Sequence, residues 1–147
     1  MRWYVSGDTH GDFTRFRNME EYKNTDQKVG MIVLGDCAVN WTLDPSRDQG
    51  LKRQLKYKFP NFEWFLLRGN HDARPEDVPT IQKVWNDDVH GYVWQEPEYP
   101  NIHYFVDGGE YNIDGHSTLT IGGAYSVDKF YRLMRGGIWH ANEQLTQ

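Results

Sequence analysis

Three short clusters of polar side chains each follow an apolar run, and their residue types are those that bind divalent metal ions. The first cluster holds Asp8 and His10, the second Asp36, and the third Asn70 and His71. Carboxylate, imidazole and amide groups form a mixed oxygen and nitrogen donor set, which suits manganese, iron or zinc better than copper or a thiolate zinc site. Taken alone, each of these residues is more simply interpreted as a helix cap, a turn former or a surface side chain. Only their combination indicates a metal site.

The spacing of the clusters predicts that they meet at one edge of a parallel sheet. Asp36 comes 28 residues after Asp8, and Asn70 comes 34 residues after Asp36. A strand–helix–strand unit takes about 30 residues, and ligands bind where the loops at the carboxyl ends of parallel strands converge. Asp8 and His10 are two residues apart, so they point the same way on an extended segment.

The elements that must position these clusters alternate between strand and helix in the first half of the chain. The predicted strands and helices are, in order, 2–6, 13–22, 28–34, 45–59 and 61–67. The helix over 45–59 is amphipathic, with Leu51, Leu55 and Phe59 four residues apart. This alternation predicts a parallel sheet with right-handed crossovers.

The second half of the chain has shorter strand candidates. They cover 91–95, 102–107, 110–113 and 118–121, and the predicted hairpin turns are 108–109 and 114–115. The Pro-rich acidic segment 74–79 is predicted to be a loop with a short helix after it. A further helix is predicted over 126–134, where Asp128 and Arg132 form a favourable pair, and 138–147 is expected to open another element.

Length and composition indicate a single domain over residues 1–147. The net charge of −5 gives no basic field for nucleic acid or anionic membranes. No apolar run approaches the ~20 residues that a membrane-spanning helix needs, and no export signal precedes Ser6. The single cysteine, Cys37, cannot form an internal disulfide, so we expect a cytoplasmic, reduced protein. Cys37 itself is interpreted as a buried apolar residue rather than a redox-sensitive thiol.

Asp8-x-His10, Gly35-Asp36 and Gly69-Asn70-His71-Asp72 together resemble three signatures of the calcineurin-like metallophosphoesterase family. They stand in the family's order, and 122–124 (Gly-Gly-Ala) is similar to a later element. The resemblance implies an α/β protein with an αββα sandwich. It also implies a metal-dependent phosphoester hydrolase in which a hydroxide activated by two metal ions attacks a phosphate-ester substrate.

The resemblance assigns metal-binding roles to four residues. Asp8 and His10 would bind a first ion, and Asp36 would bridge it to a second. Asn70 would bind the second ion. The implied cofactors are therefore two divalent ions, manganese, iron or zinc, with manganese favoured.

The resemblance assigns three further residues to catalysis. His71 would donate a proton to the leaving group, and Asp72 would orient His71. Arg68 is similar to an arginine that contacts the phosphate in one branch of the family.

The sequence departs from the family pattern in its later histidines. The family has a lone His and then a Gly-His-x-His motif, but Thr118 stands where the second His of 115–118 should be. The other histidines, at 90, 103, 116 and 140, are interpreted mainly as structural. We therefore expect a domain incomplete at its C-terminus, a weak second metal site and self-association through an exposed sheet edge or face. The alternative is a catalytically weak or inactive metal- or phosphate-binding protein.

Overall fold

The computed structural model describes residues 1–144, and its elements alternate in the first half before short strands follow. The strands are β1 (Arg2–Gly7), β2 (Val29–Leu34), β3 (Phe62–Leu67), β4 (Gln82–Asn86), β5 (Gly91–Gln95), β6 (Ile102–Phe105), β7 (Gly109–Ile113) and β8 (His116–Thr120). The α-helices are α1 (Glu20–Lys23), α2 (Pro45–Lys58) and α3 (Lys129–Met134). Short 3₁₀ helices cover Thr14–Asn18 and Pro75–Asp77. Within residues 1–144, none of the helices combines the length and the apolar composition of a membrane span.

Six of the strands form one mixed sheet in the order β1-β2-β3-β6-β5-β4. The pairs β1–β2, β2–β3 and β3–β6 are parallel, whereas β5 and β4 join antiparallel. Leu34 at the end of β2 pairs with Gly7 on one side and Leu67 on the other. The first three strands therefore end level at one edge of the sheet, and the predicted α/β class with its parallel half is confirmed.

One face of the sheet packs against the helices. Side chains that alternate along β2 and β3, among them Met31 and Trp64, meet Phe13, Leu55 and Phe59 in a single buried cluster. Trp64 makes edge contacts with Phe13 and Phe59 at ring-centroid distances of 5.1 and 5.3 Å. Large aromatic side chains dominate this layer, and their buried area fixes α2 across the strands that carry the clusters.

The opposite face of the sheet is only partly covered. The β7–β8 hairpin packs Tyr111 and Ile113 against Phe65 of β3. Beside the hairpin, Val5 and Leu34 are exposed and line an apolar groove of about 640 Å³. The predicted self-association through an exposed sheet edge or face stays a prediction.

Three local predictions were wrong for identifiable reasons. The helix over 13–22 is split, because Met19 is extended (ψ 144°) between the 3₁₀ helix and α1. The segment after 74–79 pairs with β5 as strand β4 instead of forming a helix. Residues 108–109 were predicted to form a hairpin turn. The turn at Gly108 instead connects the six-stranded sheet to the β7–β8 sheet, because Gly109 begins β7 and β7 pairs with β8. The hairpin turn at 114–115 is confirmed, with φ of 52° and 82°.

Candidate metal centre

The loops that follow β1, β2 and β3 are tied directly to one another. The backbone N–H of His10 donates to the Asp36 carbonyl oxygen at 2.8 Å. The backbone N–H of His71 donates to Asp36 Oδ1 at 3.0 Å. The middle loop is thus bonded to both neighbours, and the level strand ends bring all three polar clusters to one place.

Asp8, His10 and Asp36 form a group that could hold one divalent ion. Each offers a ligand atom, and these atoms all lie within 4.8 Å of one another. Asp8 Oδ2 and His10 Nε2 are 2.7 Å apart, and both side chains are more than half exposed. Ligand atoms at about 2.0–2.2 Å from one metal ion stand about 3–4 Å from each other. Small rotations of exposed side chains therefore suffice, so the residues fit a divalent cation.

Backbone strain is concentrated in these loops. Three non-glycine residues have left-handed backbone angles, with φ of 45° at His10, 41° at Asp36 and 59° at Ala38. Such positions cost of order 1–3 kcal/mol each and cluster at functional sites, where the surrounding structure holds them. The hydrogen bonds between the loops supply that restraint.

Gly69 allows the second and third loops to approach closely. A Cβ at this position would overlap Asp36 Oδ1 and the Asp36 backbone nitrogen, and would lie 2.7 Å from Asp36 Cγ. The glycine before Asn70 is therefore required by its contact with Asp36.

Asn70 lines the same cavity as Asp8 and Asp36, an opening of about 410 Å³ that Gly122 also borders. The side-chain nitrogen of Asn70 donates to Ser126 Oγ at 3.0 Å. The amide oxygen of Asn70 is then the atom that can coordinate a metal ion. The structure thus brings Asn70 to the same site, as the spacing predicts.

His71 lies beside the first cluster, between two rings. Its ring stacks on Trp41 with centroids 6.1 Å apart and planes 9° apart, and it meets the His10 ring edge-on at 6.1 Å. His140 Nε2 lies 3.3 Å from the Trp41 carbonyl oxygen. Trp41 therefore forms one wall of the space around His71.

Asp72 links the loop after β3 to the loop after β2 through hydrogen bonds with their backbone. Its buried carboxylate accepts backbone N–H groups from Gly69 at 2.8 Å, Cys37 at 3.1 Å and Ala38 at 2.8 Å. Burial raises the pKa of Asp72, these hydrogen bonds oppose the rise, and the charge of Asp36 adds to it. Among the described residues, no hydrogen bond joins Asp72 to the His71 ring. Any orientation of His71 would act through the backbone, and the role stays a prediction.

Arg68 borders the cavity, but its guanidinium group is held by protein partners. Nε donates to Asp107 Oδ2 at 2.7 Å and Nη1 donates to the Glu143 carbonyl oxygen at 2.6 Å. The Arg68 carbonyl oxygen accepts the N–H of Gly123 at 2.9 Å. These bonds fasten the loop over 122–124 (the glycine loop) and the segment near Glu143 to the end of β3. The predicted phosphate contact of Arg68 stays a prediction.

Three of the remaining histidines have structural surroundings. His103 is buried, with Nε2 2.9 Å from Glu63 Oε2. His116 begins β8 beside the hairpin turn, and His90 lies in the turn before β5 with φ of 49°. Within the described part of the chain, the metal-ligating group contains none of them.

Two residues at this site carry no signal in the sequence. Ser126 and Glu143 are both buried and bond to each other and, through Ser126, to Asn70. Ser126 is 56 residues from Asn70 along the chain. Only the fold brings these residues together.

Comparison with known families gives a match over nearly the whole chain. The family model described as calcineurin-like phosphoesterase matches residues 1–145, which include all three polar clusters. No curated protein and no solved structure was found to match the chain.

Proposed function

Because the chain belongs to the calcineurin-like phosphoesterase family, we propose that it hydrolyses phosphate esters with divalent metal ions bound between Asp8, His10 and Asp36. The observation that carries the proposal is the placement of these three ligand atoms within 4.8 Å of one another at the carboxyl edge of the sheet. A mixed carboxylate and imidazole set of this kind suits manganese, iron or zinc. Manganese is the first ion to test.

Each side chain at the site has a proposed metal-binding role that is based on its position. Asp8, His10 and Asp36 would hold the first ion, and Asp36 would also help to hold a second. Asn70 would contribute its amide oxygen to that second ion. A pair of divalent ions supplies a water of lowered pKa as the nucleophile and neutralises charge on the phosphoryl oxygens.

His71 is proposed as the general acid. Its protonated ring would donate to the departing oxygen, which neutralises the leaving group as the bond to phosphorus breaks. The Trp41 ring lies on one side of the His71 imidazole. On the other side, the backbone N–H of His71 donates to Asp36 Oδ1. These two contacts restrict where the imidazole can point. Arg68 and Asp72 support the same loop. The proposal includes a phosphate contact by Arg68 and an orientation of His71 by Asp72 that acts through the backbone which Asp72 holds.

A second candidate is a metal- or phosphate-binding protein without turnover. Within residues 1–144, the proposed second ion has Asp36 and Asn70 as its protein ligands. An ion with two protein ligands stays mostly hydrated and weakly held. If the second ion is needed for catalysis, this chain alone would then be slow or inactive.

Hydrolysis assays on metal-free protein test the proposal. Manganese, iron, zinc and magnesium are added singly, with p-nitrophenyl phosphate and bis(p-nitrophenyl) phosphate as monoester and diester probes. We expect metal-dependent turnover that Asp36→Asn abolishes and that the matched control Asp114→Asn, in the exposed hairpin turn, leaves unchanged. One tightly bound ion without hydrolysis favours the binding protein, and no metal binding refutes both the hydrolase and the metal-binding form of the second candidate.

A further inference from the structure

The segment that follows the glycine loop folds back onto Asn70. Ser126 and Glu143 are 1% and 3% exposed, so their polar atoms must find protein partners. The Asn70 side-chain nitrogen donates to Ser126 Oγ. A buried polar network therefore stands directly behind a residue proposed to bind metal.

Glu143 fixes the direction of the hydrogen bonds at Ser126. The Glu143 carboxylate accepts the Ser126 backbone N–H at 2.8 Å and the Ser126 hydroxyl. An ionised carboxylate can only accept, so the single hydrogen of that hydroxyl is committed to Glu143. Burial acts to raise the pKa of Glu143, but the hydrogen bonds from Ser126 and the charge of Arg132 oppose it, and the pKa lies below its ordinary value.

With its hydrogen committed, Ser126 Oγ can only accept from its other neighbours. Arg132 Nη1 donates to it at 2.9 Å, which uses one of its two lone pairs. The other lone pair must take an N–H from Asn70. The amide of Asn70 is thereby forced to turn its nitrogen toward Ser126 and to leave its oxygen for the cavity.

Residues that follow strand β3 also bond to the segment that carries Glu143. Arg68 Nη1 donates to the Glu143 carbonyl oxygen at 2.6 Å, and Arg74 Nε donates to the Asn142 carbonyl oxygen at 2.7 Å. Two arginines near the end of β3 thus hold the segment that carries Glu143 against the loop that carries Asn70.

We propose that Ser126 and Glu143 are positioning residues that orient the Asn70 amide so that Oδ1, not Nδ2, is presented to the second metal ion. This inference rests on the proposed function, in which Asn70 binds that ion. Groups behind a metal ligand, when removed, lower metal affinity about 10–100-fold.

Two variants separate orientation from simple loss of structure. Ser126→Ala removes the acceptor for Asn70. Glu143→Gln keeps the size of the side chain but replaces an acceptor with an NH₂ group that can donate to Ser126. The serine hydrogen is then free to turn toward Asn70, which reverses the amide. Ser117→Ala, an exposed serine in β8, is the matched control.

Calorimetric titration of the metal-free protein with Mn²⁺ gives the first readout. We expect both variants to lower the affinity of the weaker ion 10–100-fold and to leave the tighter ion and the Ser117→Ala control within twofold of wild type. Asn70→Ala should lower the weaker affinity at least as much. If Asn70→Ala has no effect, the proposed role of Asn70 fails. If Asn70→Ala has its effect but Ser126→Ala and Glu143→Gln do not, the positioning role fails alone.

The NMR signals of the Asn70 side-chain NH₂ group give a second readout, without metal. In the wild type we expect the amide proton that is bonded to the buried Ser126 Oγ to exchange slowly with solvent. Both variants should speed the exchange by at least tenfold while the backbone spectrum stays folded. Rapid exchange in the wild type would overturn the inference even if the weaker ion binds too weakly to titrate.

Discussion

Gly69→Ala should disrupt the metal centre through steric overlap alone. The added Cβ would lie 2.7 Å from Asp36 Cγ, whereas carbon atoms normally approach to about 3.5–4.0 Å. Asp36 must therefore move by roughly 1 Å, several times the ~0.2 Å over which metal–ligand distances normally vary. We expect metal affinity to fall at least tenfold and, as for other overpacked sites, a cost of about 1–3 kcal/mol in the free energy of unfolding.

Gly50→Ala is a matched control for this prediction. Gly50 lies in α2, and a Cβ there would meet no atom within 4 Å. Alanine in a helix interior is more favourable than glycine by about 0.5–1 kcal/mol, so this variant should be slightly stabilised. Mn²⁺ titration and chemical denaturation measure both quantities. Wild-type metal affinity and stability in Gly69→Ala would refute the close approach of the two loops.

Changes at His71, Cys37 and Glu63 should each alter one measurable property of the protein. His71→Gln should slow turnover about 10²–10⁴-fold with metal affinity within twofold; loss of the metal would instead make His71 a ligand. Burial raises the pKa of the Cys37 thiol well above its ordinary value, and the charges of Asp72, Asp36 and Asp8 add to the rise. The metal-free folded protein should therefore react with iodoacetamide at pH 8 far more slowly than protein unfolded in urea, and equal rates would contradict this. Burial acts to raise the pKa of Glu63, but the hydrogen bond and charge of His103 and the charge of Lys28 lower it overall. A carboxylate with a lowered folded-state pKa stabilises the fold above its unfolded pKa of about 4.3 and loses that contribution as pH falls through the folded value. The difference in the free energy of unfolding between wild type and Glu63→Gln should therefore shrink as the pH falls below about 4. A difference that does not change with pH would contradict the lowered pKa of Glu63.

The sheet edge that carries the site was predictable because it depends on local patterns. Apolar runs that end at Gly7, Gly35 and Gly69, spaced by helices, place three loops at one edge whatever the details of packing. The register in which Leu34 pairs with both Gly7 and Leu67 confirms that placement. The turn at 114–115 was equally local, because Asp-Gly suits the left-handed angles that a tight hairpin requires.

The parts of the structure that sequence reasoning missed depend on distant contacts. Strand β4 has two apolar residues, Val84 and Trp85, too few to show a strand period, and it is held in the sheet by its pairing with β5. The contacts of Asp72 with the backbone of Cys37 and Ala38 join residues that are 35 and 34 positions apart. No motif predicts the bond between Asn70 and Ser126, because a serine 56 residues away has no pattern that marks it.

We expect Asp8, His10 and Asp36 together to bind a divalent cation at the carboxyl edge of the sheet. Anomalous diffraction from crystals grown with Mn²⁺ tests it most directly. We predict a peak at about 2.0–2.3 Å from one donor atom of each of these three residues, absent from crystals of Asp36→Asn. A folded protein with no peak there, or with its metal held by other side chains, would contradict the account.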